Sequence, residues 1–120
     1  MKKSVFLGAL TVAGLAAGAA AAATLDDVKA RGNLNCGVTT GLTGFAAPNA
    51  NGVWEGFDVA VCRAVAAAVL SDPMAVEFTP TTGQTRFTAL ASGEIDMLAR
   101  NTTWTFTRDV DLKFEFTGIN

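Results

Sequence analysis

Residues 58–79 read DVAVCRAVAAAVLSDPMAVEFT. The first part, 58–70, alternates Val and Ala with hardly a polar position, which predicts a helix buried on most of its sides. Ser71, Asp72 and Pro73 then form a turn that a helix cannot cross, because the residue before proline is pushed out of the helical region. Val76 to Thr79 follows as a strand rich in β-branched and aromatic side chains. A buried helix running straight into a strand is the second half of a strand-helix-strand unit, and the rest of the chain supplies the other parts. Upstream, 34–39 predicts a strand, and 25–31 a short amphipathic helix opened by a capping box at Thr24 and closed by Gly32. Downstream, 85–92 predicts a helix closed by Gly93, 95–99 a third strand and 113–117 a fourth. A short extended piece is expected at 54–57. Strands alternating with helices call for an α/β fold, a mostly parallel sheet with helices on both faces and right-handed crossovers.

Composition narrows the chemistry. The 120 residues contain no His, so neither a Ser-His-Asp nor a Cys-His nucleophile can be assembled, and zinc sites of the two-Cys, two-His kind are excluded. A net charge of -2 without any basic block gives no footprint for a phosphate backbone, so nucleic acid is not an expected partner.

Residues 1–23 read as a cleavable signal peptide. Lys2 and Lys3 precede the apolar stretch 5–15, and small residues lead to Ala21-Ala22-Ala23, an A-x-A cleavage site before Thr24. The alternative is a membrane anchor, but Gly and Ala dilute the second half of the segment. Cleavage removes two lysines and leaves a mildly acidic exported chain, with 24–120 as one compact unit. In an exported chain Cys36 and Cys62, the only cysteines, read most economically as a disulfide; two buried free thiols are the alternative. A Cys pair alone does not hold a structural metal.

In open sheets of this class ligands bind beyond the carboxyl ends of the strands. Two segments fall there. The loop 40–52, unusually long for a compact domain, carries Leu42 and Phe45; the polar connection after the third strand carries Asn101, Thr102, Thr103, Trp104 and Arg108. Hydroxyls, an amide, an aromatic face and a guanidinium form a set suited to a small carboxylate. The alternative is an ordinary capped turn with Arg108 as a solvated surface charge.

Two spaced motifs carry a resemblance. Gly56-Phe57-Asp58-Val59, followed by Val61, Val65, Ala66 and Val69, resembles the signature of the extracellular solute-binding proteins for polar amino acids. The segment Arg86-Phe87-Thr88-Ala89-Leu90-Ala91-Ser92-Gly93-Glu94-Ile95-Asp96, followed by Asn101-Thr102-Thr103 and Arg108, resembles the ligand half-site of that family. The contexts LNCGV and DVAVCRAV around the cysteines are similar to the general L-amino-acid binders of ABC transporters. One position departs from the signature: Ala60 stands where a second acidic residue is usual.

The resemblance implies a type II periplasmic-binding-protein-like lobe, the first of two, in a sequence truncated before the second. It implies a monomeric binding protein that captures an L-amino acid and delivers it to a membrane permease, with no catalytic residue, cofactor or metal. Arg108 matches the arginine that pairs with the ligand's α-carboxylate, and Thr103 a hydroxyl donor to the same group. Asn101 stands where a backbone carbonyl meets the ligand's ammonium. Arg86 holds a position that contacts a side-chain carboxylate in acidic-amino-acid binders, a structural salt bridge being the alternative, and Phe45 lends an apolar wall. Dehydratases, peptidoglycan-cleaving hydrolases and ligand-sensing domains share the fold. The two enzymes need a carboxylic acid in the cleft, and none is evident in 24–120.

Overall fold

The structure, a computed structural model, describes residues 19–117, with 19–23 described as backbone only. The expected signal peptide therefore lies outside the described residues except for 19–23, as do Gly118, Ile119 and Asn120. Helix α1 (Ala19–Arg31) starts earlier than the predicted 25–31. Thr24 is consequently inside a helix and is not its N-cap: the upstream alanines, the best helix formers, carry the helix past it. Gly32 ends α1 as expected, at φ 79 with its N–H donating to the Val28 carbonyl.

Strand β1 (Leu34–Thr39) has the predicted bounds. The long loop that follows is not structureless. It contains an isolated bridge between Leu42 and Ala46 and strand β2 (Ala47–Pro48), which pairs antiparallel with β3 (Trp54–Glu55). Phe57, expected as extended, begins helix α2 (Phe57–Leu70). Ser71 adopts the left-handed conformation at the end of α2, and the Asp72 carboxylate accepts from the Met74 N–H, which makes the turn before β4 (Val76–Thr81). Helix α3 (Arg86–Ala91) leads to β5 (Met97–Leu98), shorter than the predicted 95–99. A π-helical turn (Thr107–Asp111) follows.

The three-stranded sheet is parallel, in the order β4-β1-β5, with β1 at its centre. Pro80 sits in β4 opposite Val38; an edge strand tolerates the missing N–H, a central one would not. The two crossovers leave β1 in one direction and return past it in the other, so right-handed connections place α2 and α3 on opposite faces. Cys36, Val38, Val59 and Cys62 form the core between β1 and α2, all at 1% exposure or less. The disulfide Cys36–Cys62 joins strand to helix inside that core. On the alternate parity of β1, a side chain at Gly37 would collide with Ile95, so glycine lets the segment after α3 close on the strand.

The predicted fourth strand at 113–117 does not form. Lys113 takes a left-handed φ of 54, which breaks an extended run at its first residue, and the Phe114 N–H donates to the Arg108 carbonyl. That N–H is satisfied within the local turn and not at a sheet edge.

Candidate functional site

The loop carrying Phe45 is latched to the start of α2. The Phe57 N–H donates to the Gly44 carbonyl and the Asp58 N–H to the Phe45 carbonyl, both at 2.9 Å. Two of the donors that every helix N-terminus leaves unpaired are thereby satisfied by loop backbone. Gly56 makes this approach possible: its φ is 122, and a Cβ there would lie 2.3 Å from the Phe45 carbonyl oxygen.

Phe45 thereby stands at the border of a groove of about 590 Å³ that is also lined by Asp58, Phe87, Arg100, Asn101 and Thr102. Asp58 is 7% exposed and its Oδ2 has no hydrogen-bond partner among the described residues. Burial pushes its carboxyl above the usual carboxylate range, and the charge of Arg100 opposes that rise. Arg100 reaches across the top of the sheet to the Thr81 carbonyl at 2.6 Å and touches Asn101 Oδ1 at 3.4 Å.

The other predicted residues gather beside the groove, around Phe87. Arg86 donates from Nη1 to the Asn101 carbonyl and to Thr102 Oγ1, each at 3.2 Å. Arg108 donates from Nη1 to the Thr103 carbonyl at 2.6 Å. Both guanidiniums lie over the Phe87 ring, at 4.7 and 5.0 Å from its centroid. The Arg86 pKa is lowered by burial first, and then by the like charges of Arg100 and Arg108. Arg86 has no ion-pair partner among the described residues. Among those residues a salt bridge joins Arg31 to Asp96, which also accepts from the Asn35 N–H, and it ties α1 to the segment before β5.

The structure thus brings Arg86, Asn101, Thr103 and Arg108 together at one end of the sheet, with Phe45 across the groove. Thr103 engages Arg108 through its carbonyl, and its side chain is exposed. The Asn101 carbonyl, expected to face a ligand ammonium, already accepts from Arg86 and keeps one lone pair free. Sequence reasoning missed Arg100, Asp58 and Phe87 as members of the cluster. The available signal was position: Arg100 is a charged residue directly after the third strand, and Phe87 lies inside the second motif.

Three guanidiniums, of Arg86, Arg100 and Arg108, thus lie beyond the carboxyl end of a parallel sheet, beside a polar Asn-Thr-Thr run. Residues 34–117 match the family model described as bacterial extracellular solute-binding proteins, family 3. The chain belongs to that family. The glutamate/glutamine/aspartate/asparagine-binding protein BztA of Rhodobacter capsulatus is 68% identical to this family member over 100% of the chain and 36% of its own length. The general L-amino acid-binding periplasmic protein AapJ of Rhizobium johnstonii is 59% identical over 99% of the chain and likewise 36% of its own length. Among solved structures, a periplasmic binding protein of an ABC transporter from Brucella ovis, with glutathione bound, superimposes with a TM-score of 0.72. It is 63% identical, over 74% of this chain and 28% of that one. The chain therefore spans about a third of the length of the curated family relatives it matches.

Proposed function

We propose that this family 3 chain belongs to the periplasmic substrate-binding component of an amino-acid ABC transporter, a monomer that captures L-amino acids and delivers them to a membrane permease. Residues 1–23 serve as the signal peptide, and 24–120 contribute the N-terminal part of the solute-binding domain, on its first lobe. Arg108 anchors the ligand's α-carboxylate, with Thr103 beside it. Asn101 meets the ammonium through the free lone pair of its carbonyl, Arg86 favours acidic or amide side chains, and Phe45 lends the apolar wall. The observation that carries this reading is the convergence of Arg86, Arg100 and Arg108 on the Asn101–Thr103 run without an ion-pair partner among the described residues. Guanidiniums held close to one another at the carboxyl end of a sheet, each repelling its neighbours, form a place for anionic groups. The names of the Rhodobacter and Rhizobium relatives, one acidic and amide, one general, support a broad amino-acid specificity.

Loss of a bidentate, charge-assisted pair removes about 3 kcal/mol or more, a factor of at least about a hundred in Kd. In the full-length protein, Arg108→Ala should weaken L-glutamate by that factor in calorimetry while the ligand-free melting temperature changes little. Unchanged affinity rejects the site. A large fall in melting temperature would instead assign Arg108 a structural role through Thr103.

Asp58 favours a second reading. A buried carboxyl with a raised pKa at the edge of a groove is the form a general acid takes, and elimination or hydrolysis on this fold would need one. Recovery of bound ligand chemically unchanged after prolonged incubation would reject it.

A further inference from the structure

The reading above gives Arg86 and Arg108 to the ligand but leaves open why two like charges from different elements stay together without a carboxylate between them. Left to themselves, two guanidiniums repel, swing into water and must be ordered again each time a ligand binds, at the expense of side-chain rotamer freedom. The molecule offers one group that acts on both. Phe87, the second residue of α3, holds the Arg86 Cζ at 4.7 Å and the Arg108 Cζ at 5.0 Å from its ring centroid. The negative face of an aromatic ring attracts a guanidinium, and more strongly where water is partly excluded. Phe114 stacks on the same ring at 5.3 Å and 18° between planes, which fixes the ring's own orientation.

Each arginine is tethered at one further point. Arg108 Nη1 is held by the Thr103 carbonyl, and Arg86 Nη1 by the Asn101 carbonyl and Thr102 Oγ1. The one hydrogen bond of Arg108 fixes a nitrogen but leaves its guanidinium plane free to turn about it, and the two bonds of Arg86 both hold the same nitrogen; contact with a ring face restrains the rest of each group. The ring itself borders the groove, so the same side chain that orders the cations sets their distance from the ligand space.

We infer that Phe87 is a positioning residue for anion recognition: its ring holds the Arg86 and Arg108 guanidiniums in place before ligand arrives, and the ligand class it serves is an amino acid carrying a second carboxylate or carboxamide. The inference rests on the assignment of Arg108 as the carboxylate anchor. It adds a residue that touches both anchors, and it acts by preorganisation.

The test uses the full-length protein with Phe87 replaced by mono-, di- and trifluorinated phenylalanine, by Phe87→Leu and by Phe87→Trp, with Arg108→Ala measured in parallel. Fluorination drains the ring's negative face at nearly constant shape. Calorimetry with L-glutamate should show affinity falling step by step along the fluorinated series, to about tenfold at the trifluoro ring, with little change in the ligand-free melting temperature. Phe87→Leu should lose a similar factor and Phe87→Trp should keep the native affinity. Affinity that is flat along the fluorinated series, while Arg108→Ala loses binding, overturns the role of Phe87 and leaves the anchor in place. If Arg108→Ala binds as the native protein does, the anchor itself is wrong, and the role of Phe87 falls with it. Should Phe87→Leu fail to fold, the fluorinated series, which preserves the packing, decides alone.

Discussion

Asp58 stands in the first turn of α2, where the positive end of the helix favours an acid, and yet it is buried with one oxygen unpartnered. Burial outweighs the charge of Arg100, since the net effect is a raised pKa. The folded protein therefore binds this proton more tightly than the unfolded chain does. The resulting penalty on stability is absent below the unfolded pKa of about 3.9, grows as pH rises through the folded pKa and is complete above it. Asp58→Asn should accordingly raise the ligand-free melting temperature at pH 7, with the gain shrinking as melts are repeated down to pH 4. A lower melting temperature for the Asn variant at pH 7 would show that attraction to Arg100 outweighs desolvation. At this scale Arg108 and Arg86 were legible because they fall at fixed places in a motif. Arg100 was not, since nothing in the local sequence tells that its side chain crosses to Thr81.

The junction between the Phe45 loop and α2 is where the elements depend on each other most tightly. Gly56→Ala would place a methyl group 2.3 Å from the Phe45 carbonyl oxygen at a φ that L-residues avoid, and neither atom belongs to a side chain that can swing away. We expect a loss of about 2–3 kcal/mol in urea unfolding, with weaker ligand binding because the loop can no longer dock. Stability within a few tenths of native would show that the loop shifts freely. The elements themselves were largely legible: β1 was predicted at its exact bounds, and α2 and α3 within a residue at each end, because caps, turns and apolar periodicity are local. The 113–117 segment failed for a reason no local pattern contains. Its alternation allows a strand, but pairing needs an edge at the right place, and Phe114 bonds to Arg108 first while its ring stacks on Phe87.

For the molecule as a whole, the Cys36–Cys62 bond is the covalent link between sheet and helix, with both cysteines fully buried. It closes a loop over a sequence separation of 26, which on the chain-entropy account stabilises the fold by about 3.5 kcal/mol. Protein isolated from the periplasm and denatured without reductant should show no titratable thiol. Replacing both cysteines by alanine should move the unfolding free energy down by about 3 kcal/mol, and two free thiols in the unreduced sample would reject the link. The order from β1 through α2, β4 and α3 to β5 and the family's motifs were determined by sequence alone, since each is a pattern of neighbouring residues. The extent of burial of α2 was not: the helix buries one face, with Asp58, Val59, Cys62 and Ala66, and leaves Phe57, Ala60, Ala64, Ala67 and Ala68 exposed instead of being covered on most of its sides. The placement of β1 between β4 and β5, the docking of the Phe45 loop on α2 and the gathering of Arg86 and Arg108 around Phe87 were decided only in the tertiary structure. Those depend on contacts between residues far apart in the chain: a strand's alternation says that it can pair but not with which partner, and an arginine's charge says what it attracts but not where its long side chain comes to rest.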